Sequence, residues 1–258
     1  MTQKWNGTVS LEPGRLTFRG QIGTTHAHAH AAVQIVIVTS GTVELIDGYG
    51  HGRSVRGAVI PTRAVHEVRA VDAWGTLVYC DADSLVGRVV QSHPAVGDRV
   101  ADWVWAEPPG EPGEEGAARR LGDLSPALVR RHAVGDTHPA VRAAIAHTQS
   151  LLGGPVRLEE VAAAAMISPS RLGHLFAQEV GMSFPTYLRW ARLRRAIELV
   201  RAGATLTRAA NDSGFSDSSH LTRVMHEMFG LAPSELLRGV RWQDSATATT
   251  PEAGLGER

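Results

Sequence analysis

The sequence predicts a two-domain protein of the α+β class, with an antiparallel β-barrel in the amino-terminal half and an all-α domain in the carboxy-terminal half. Three observations support this prediction. Short runs rich in β-branched residues follow one another through residues 1–82. Apolar residues at helical spacing then continue from about residue 137 to 238. Within that helical half, one pattern of residues occurs twice.

Composition excludes several classes of protein. The chain has 258 residues, of which 43% are apolar, so it can bury a core in two ordinary domains. A single cysteine, Cys80, excludes an internal disulfide and a cysteine-based zinc site, and we expect a buried thiol rather than a nucleophile. The start of the chain lacks the apolar segment of a secretory leader, and no apolar run is long enough to cross a bilayer. We therefore expect a cytoplasmic protein.

The β-rich half is predicted from short strands that Gly- and Asp-containing segments separate. The strands are VQIVIVT (33–39), TVELIDG (42–48), GAVIPT (57–62) and TLVYCD (76–81). Turns are expected at 40–41, 47–52 and 71–75, and a short helix at 84–91. Short strands at this spacing are typical of an antiparallel sandwich or barrel. This domain is assigned residues 1–122, with 108–116 as an exposed Pro/Gly/Glu loop, and 123–136 form a linker that includes a short helix at 124–134.

The carboxy-terminal domain is assigned residues 137–240. Its predicted helices are 139–152, 157–165, 169–180, 184–202, 205–213, 217–229 and 232–238. Pro169 suits the first position of one helix, and Gly181, Gly203 and Gly230 suit the ends of three others. Residues 241–258 have the composition of a disordered tail.

The repeat in this half has an offset of 49 residues. Leu172 precedes Gly181 by nine residues, and Leu221 precedes Gly230 by the same distance. Each copy has a short helix of small residues, a tight turn and a second amphipathic helix, which is the order of a helix-turn-helix unit. The 19-residue connecting helix 184–202 would span about 28 Å, close to the roughly 34 Å of one DNA turn. Two second helices could therefore enter successive major grooves.

Residues 137–238 resemble the DNA-binding domain of the AraC/XylS family of bacterial transcription regulators. The resemblance is strongest in the second unit, AANDSGFSDSSHLTRVMHEMFGLAPSELLR. It implies a seven-helix domain whose two recognition helices lie in adjacent major grooves of promoter DNA. It also implies a homodimer formed through the amino-terminal domain, with the helix 84–91 as a candidate interface, and contact with RNA polymerase if the protein is an activator.

The resemblance also implies which side chains face DNA. On the first recognition helix these are Ser170, Arg171 and His174, with Gly173 beside them. On the second they are Ser218, Ser219, His220, Thr222 and Arg223. Arginines of the connecting helix are candidates for phosphate contacts: Arg189, Arg192, Arg194 and Arg195. The net charge agrees, because residues 138–241 carry 12 arginines and eight acidic residues. The alternative is that these arginines form a solvated helix face.

The amino-terminal half contains histidines at alternate positions of a predicted strand, in HAHAHAAVQIVIVTSG (26–41). His28, His30, Gln34 and Gly41 have the spacing of the first cupin motif, and Pro61 and His66 in GAVIPTRAVHEV (57–68) resemble the second. This half is therefore similar to a cupin, an RmlC-like jelly roll. Cupin enzymes commonly hold a transition metal with three histidines and a glutamate, and Gln34 replaces that glutamate here.

The histidines leave three interpretations open. His28, His30 and His66 could bind Zn²⁺, Ni²⁺, Cu²⁺ or Fe²⁺. Together with Gln34 they could instead line a pocket for an organic effector, or they could be structural. Our first hypothesis is a transcription regulator that is not an enzyme, requires no cofactor, responds to a small molecule and joins the nucleoid when bound to DNA. The alternative is a metal-binding cupin, a sensor or a metal-dependent enzyme, with an attached DNA-binding domain.

Overall fold

The computed structural model describes residues 5–92, 97–103, 137–234 and 239–243. Its strands are β1 (Asn6–Glu12), β2 (Arg15–Gln21), β3 (Ala32–Asp47), β4 (Gly52–Val55), β5 (Gly57–Ile60), β6 (His66–Asp81) and β7 (Val240–Gln243). Its helices are α1 (Leu85–Ser92), α2 (Val100–Trp103), α3 (Pro139–Leu151), α4 (Leu158–Ala164), α5 (Pro169–Glu179), α6 (Phe184–Arg201), α7 (Leu206–Asp212) and α8 (Ser218–Phe229). A β-rich amino-terminal half and a helical carboxy-terminal half are thus confirmed.

The strands form one sheet in the order β4-β3-β6-β2-β1-β7, with β5 paired to β3. All pairs are antiparallel except β1 with β7. Because β3 alternates its side chains, Val33, Ile35 and Ile37 lie on one face with Val78 and Cys80 of β6. The opposite face of the sheet carries the larger core cluster, which continues into the helical half.

Two predicted turns lie inside long strands instead. Residues 33–39 and 42–47 belong to the single strand β3, and residues 71–75 belong to β6. The register of β3 with β6 shifts between Val38 and Thr42, which marks a β-bulge. Gly41 is required there, since its φ is +73° and a Cβ would lie 2.1 Å from the carbonyl oxygen of Asp72. The glycine therefore bends a strand rather than ending one.

The helical predictions are confirmed within the described residues. Helices α3 to α8 match the first six predicted segments, and α1 matches the predicted helix at 84–91. The predicted loop 108–116 and linker 123–136 lie outside the described residues, as does most of the predicted helix 232–238. Among the helices that the structure describes, none has both the length and the apolar character needed to span a membrane.

The predicted disordered tail begins too early. Residues 240–243 form β7, which pairs in parallel with β1 from Gly7↔Val240 to Ser10↔Gln243. Val240 and Trp242 are half-buried and pack against the core, so this segment gains both strand hydrogen bonds and apolar burial. Residues 244–258 of the predicted tail lie outside the described residues.

The two halves pack closely on each other. Trp190 of α6 donates its indole N–H to Asp81 Oδ1 at the end of β6, 2.8 Å away. Arg194, one turn further along α6, is ion-paired with Asp81 and donates to the carbonyl oxygen of Glu12, 2.9 Å away. The rings of Phe229 and Tyr79 meet at 5.3 Å between α8 and the sheet.

Two cavities lie along this junction. The first, of about 80 Å³, is lined mainly by apolar side chains of the sheet, α6 and α8, among them Phe18, Tyr79, Met225 and Phe229. The second is a polar cleft of about 530 Å³ beside Asp81, lined largely by α6. The junction between the halves is therefore polar at the end of β6 and apolar across the face of the sheet.

Candidate functional site

The helical half contains two successive pairs of helices with the same construction. In the first pair α4 and α5 are joined by residues 165–168, and in the second α7 and α8 are joined by residues 213–217. One residue in each turn adopts a left-handed conformation, Met166 (φ 59°) and Gly214 (φ 86°). Small buried residues such as Ala162 and Ala209 let the paired helices approach closely. Each pair is therefore a short helix, a tight turn and a second helix packed through small residues.

Both second helices begin at a capped turn. The Ser168 side chain accepts a hydrogen bond from the N–H of Arg171, 3.2 Å away, and Pro169 occupies the first turn. Asp217 Oδ1 likewise accepts from the N–H of His220, 2.7 Å away. These hydrogen bonds lower the pKa of Asp217 and keep its carboxylate charged. The start of each second helix is therefore well defined.

Helix α5 separates its apolar and polar residues by face. Leu172 and Phe176 are fully buried and Leu175 nearly so. The predicted contact residues Ser170, Arg171 and His174 are all exposed. The structure therefore places these three polar side chains together on the free side of α5.

Helix α8 has the same division of faces. Leu221, Val224 and Met225 are buried, whereas Ser219 and Arg223 are exposed. The remaining predicted contact residues are partly covered: Ser218, His220 and Thr222. The Thr222 hydroxyl donates to the carbonyl oxygen of Ser218, 2.8 Å away, and the His220 ring lies 5.2 Å from that of Phe215. Arg223 is thus the predicted contact residue on α8 with the greatest reach into solvent.

The arginines predicted to contact phosphate differ in their surroundings. Arg195 is exposed and lies 3.7 Å from Glu198, and Arg189 is exposed and lies 3.5 Å from Glu227 of α8. Arg192 is half-buried and donates to the carbonyl oxygen of Gly154, 2.9 Å away, and burial lowers its pKa.

For Arg194 the predicted phosphate contact is wrong. Its side chain is only 11% exposed and pairs with Asp81 of the sheet, so it joins the two halves of the chain.

The predicted histidine cluster is brought together in the amino-terminal half. His28, His30 and His66 each offer a ring nitrogen within 4.8 Å of the others, and all three are buried. Gln34, fully buried on β3, places its Oε1 2.9 Å from His30 Nε2 and 3.0 Å from His66 Nε2. Its amide nitrogen lies 3.2 Å from the Tyr79 hydroxyl. The residues of the two cupin-like motifs thus meet around one point.

Backbone carbonyls fix the tautomers of these histidines. His28 Nδ1 lies 2.8 Å from the carbonyl oxygen of His26, His30 Nδ1 2.7 Å from that of Ala32, and His66 Nδ1 2.9 Å from that of Ala64. A carbonyl oxygen only accepts, so each Nδ1 carries a proton. Burial lowers the pKa of His28 to about 3 and also lowers the pKa values of His30 and His66. All three rings are therefore neutral near pH 7, and each Nε2 is an unprotonated acceptor.

The cluster then contains an excess of acceptors. Gln34 Oε1 is itself an acceptor and faces two Nε2 lone pairs. A cation here would be attracted by Gln34 Oε1 and by the Nε2 atoms of His30 and His66, and His28 offers a ring nitrogen within 4.8 Å of those of the other two histidines. Nδ1–H groups bonded to carbonyls are the usual outer contacts of metal-binding histidines. Without a cation, the amide is satisfied by turning over, so that its NH₂ donates to His30 and His66 and its oxygen accepts from Tyr79. The donor set therefore fits a divalent transition metal.

Tyr79 is a further member of this site. It pairs with Gln34 in the register of β3 and β6, and burial raises the pKa of its hydroxyl, which stays protonated. Trp103 of α2, whose ring centroid lies 6.2 Å from that of His66, also covers the cluster. Tyr79 lies beside Gln34 because of the register between β3 and β6. That register depends on both strands and cannot be predicted from the sequence of either one alone.

Comparison with known proteins identifies the helical half. Residues 161–239 match the family model described as a helix-turn-helix domain. The HTH-type transcriptional activator RhaR of Pectobacterium atrosepticum is 36% identical over 111 residues, which are 43% of this chain and 37% of that protein. The HTH-type transcriptional regulator GlxA of Rhizobium meliloti is 28% identical over 141 residues, 54% of this chain and 40% of that protein. The matches therefore span about two fifths of these relatives.

Comparison of folds extends over most of the chain. The crystal structure of ToxT from Vibrio cholerae O395 superposes with a TM-score of 0.57 and covers 88% of this chain and 98% of ToxT, at 13% sequence identity. At that identity the likeness concerns the fold, a β-sheet half followed by a helical half. The resemblance inferred from the sequence of the helical half is confirmed, and the carboxy-terminal part of this chain is a helix-turn-helix domain of the AraC type.

Proposed function

We propose that this protein is a DNA-binding transcription regulator with two helix-turn-helix units, in which α5 and α8 are the recognition helices. The observation that carries the proposal is the repeated presentation of a polar helix face, with Arg171 exposed on α5 and Arg223 exposed on α8. Arginine binds guanine edges and phosphates through paired hydrogen bonds. The relatives named above are transcription regulators, which supports this role over an enzymatic one.

The spacing of the two units supports binding in successive major grooves. Helix α6, which connects them, has 18 residues and so spans about 27 Å. One turn of B-DNA is roughly 34 Å, and two helices set at the ends of α6 can reach neighbouring grooves on one side of the duplex. Arg189 and Arg195 lie exposed on α6 itself and are proposed to contact phosphates.

The test is selection of binding sites from random double-stranded DNA, followed by affinity measurements on the selected site and on random DNA. Arg223→Ala is expected to weaken binding to the selected site by about 1–3 kcal/mol if Arg223 reads a base. Arg53→Ala is the control, because Arg53 is an exposed arginine on β4 in the other half. Failure to select any site would refute the proposed function. An equal loss on both DNAs would assign Arg223 to phosphate.

We also propose that an effector acts through the cupin-like amino-terminal half. The apolar cavity between the sheet, α6 and α8 is the candidate site for an apolar organic molecule, because its lining is apolar and a ligand there would touch both halves of the chain. Its volume is only about 80 Å³, so the two halves would have to move apart to admit such a molecule. Structures of ToxT are described with a bound unsaturated fatty acid and with (E)-4-(8-methylnaphthalen-1-yl)but-3-enoic acid, molecules of that kind. In this proposal the protein acts in the cytoplasm as a homodimer on promoter DNA and contacts RNA polymerase if it activates.

A metal-responsive regulator is a second candidate function, and the convergence of acceptors in the histidine cluster favours it. His28, His30 and His66 would hold the ion through Nε2, and Gln34 Oε1 would supply a neutral fourth ligand. The test is titration of the metal-free protein with Co²⁺, read by its visible absorption, and with Zn²⁺ by calorimetry. His30→Ala is expected to abolish binding of one ion, whereas His51→Ala, an exposed histidine between β3 and β4, retains it.

A further inference from the structure

The loop that carries two of the cluster's three histidines also holds the end of the second recognition helix. Residues 25–30, here called the histidine loop, run alongside the carboxy-terminal end of α8. Ala29 donates its backbone N–H to the carbonyl oxygen of Glu227, 3.2 Å away. His26 donates its N–H to the carbonyl oxygen of Gly230, 3.4 Å away. The loop therefore bonds backbone to backbone with the last turn of α8.

Gly230 fits this contact without spare room. It ends α8 with φ 65°, in the left-handed region that favours glycine. A Cβ at this position would lie 2.7 Å from the carbonyl oxygen of His26, 2.8 Å from His28 Nδ1 and 3.0 Å from Thr25 Cβ. One atom of the cluster, His28 Nδ1, thus lies so close to the end of the recognition helix that a methyl group on residue 230 would clash with it.

The same loop is fixed to the third histidine of the cluster. His28 and His66 exchange two backbone hydrogen bonds of 2.9 Å, and their rings lie 4.2 Å apart. His30 accepts at its carbonyl oxygen from the N–H of Arg63, 2.8 Å away. The backbone of the histidine loop is therefore tied both to His66 and to the end of α8.

A second route joins the cluster to α8 through side chains. Gln34 lies 3.2 Å from the Tyr79 hydroxyl, and the Tyr79 ring lies 5.2 Å from that of His30. On its other side Tyr79 meets Phe229, the last residue of α8, with ring centroids 5.3 Å apart. Turning over the Gln34 amide would reverse its hydrogen bond with Tyr79, so the state of the cluster also reaches α8 by this path.

We propose that a divalent transition metal bound by His28, His30 and His66 changes the affinity of α8 for DNA, with the histidine loop as the mechanical connection. This inference rests on the proposed DNA-binding function and on the metal-responsive candidate. An ion draws the three Nε2 atoms toward one centre, and the loop that carries two of them cannot move independently of Gly230. Two sites coupled in this way influence each other equally, because the coupling free energy is shared.

The experiment measures both directions of the coupling on the full chain. DNA affinity for the selected site is determined with saturating Zn²⁺ and with EDTA, and Zn²⁺ affinity is determined with and without that DNA. We expect a change of at least about fivefold in the DNA dissociation constant, and a change of the same factor in the Zn²⁺ dissociation constant. A factor below twofold in wild-type protein that binds both ligands overturns the inference.

Gly230→Ala tests the route, and Gly181→Ala is its matched control. Gly181 follows α5 with φ 73°, so alanine meets the same left-handed conformation there, in the unit that lacks the histidine loop. The coupling factor is the factor by which Zn²⁺ changes the dissociation constant for DNA. We expect Gly230→Ala to reduce this factor by more than half while Zn²⁺ still binds, and Gly181→Ala to leave it unchanged. Full coupling in Gly230→Ala overturns the route.

A second, milder variant tests the same route in case Gly230→Ala does not fold. His26→Ala removes an exposed ring that lies 5.8 Å from that of His226 on α8. We expect it to keep Zn²⁺ binding and to lower the coupling factor. The two levels of the proposal fail differently. Absence of Zn²⁺ binding overturns the metal-responsive function together with this inference, whereas Zn²⁺ binding without any effect on DNA affinity overturns this inference alone.

Discussion

Asp83 is expected to destabilise the protein progressively as the pH rises from about 4 to above 6, and Asp83→Asn should remove that effect. The residue lies between β6 and α1 at the junction of the two halves. Burial raises the pKa of its carboxyl from 3.8 to about 6, and the negative charge of Asp81 adds to the rise. The nearby Arg194 and Arg88 oppose it more weakly. The carboxylate therefore has to be charged at neutral pH in a place that favours the neutral acid.

The sign follows from proton binding. The folded state holds this proton more tightly than the unfolded chain, so unfolding releases it and stability falls as the pH rises from 3.8 toward 6. The full effect, reached above pH 6, is about 3 kcal/mol at 1.36 kcal/mol per pKa unit. Asparagine has nearly the same shape and cannot ionise. The free energy of unfolding of Asp83→Asn should therefore exceed that of wild type by about 1 kcal/mol at pH 4.5 and about 3 kcal/mol at pH 8.

The assay is urea denaturation followed by tryptophan fluorescence at both pH values. Groups other than Asp83 titrate in both proteins, so the difference between them isolates this carboxyl. Asp102→Asn is the control, since Asp102 is exposed on α2, and it should differ little from wild type. A difference that is the same at pH 4.5 and pH 8, or a less stable variant at pH 8, would refute the reasoning.

Three further predictions concern local packing. Met166→Gly should raise the free energy of unfolding, measured in urea, by about 1 kcal/mol. The Met166 side chain is 90% exposed, so little packing is lost, and its backbone is left-handed at φ 59°, where glycine is unstrained. Gly214→Ala is expected to have the opposite effect, because Gly214 is also left-handed, at φ 86°, and the free energy of unfolding should fall. Arg194→Met should lower the urea stability by about 3 kcal/mol by leaving Asp81, whose side chain is 18% exposed, without its cation; an unchanged midpoint would contradict this. Burial raises the pKa of Cys80 to about 11, so Ellman's reagent at pH 8 should label it in urea and not in the native protein.

Much of the helical half was predictable from the sequence because its signals are local. Helix periodicity, the Ser168 and Asp217 caps and the glycine stops each act within one or two turns. The exposed faces of α5 and α8 follow from the same periodicity. In the β-rich half, alternation along the chain predicted that His28 and His30 share a face, and motif spacing added Gln34 and His66 to them.

The tertiary structure decided what depends on distant partners. The sequence cannot show that Arg194 pairs with Asp81, which is 113 residues away, so an interior arginine looked like a phosphate contact. Pairing with β1 turned residues 240–243 from tail into strand, and pairing with β6 turned Gly41 from a turn into a bulge. The contact of the histidine loop with Gly230 arises in the same way. Local patterns fix which segments are helices and which faces are apolar, whereas burial, charge pairing and strand register are set by residues that only folding brings together.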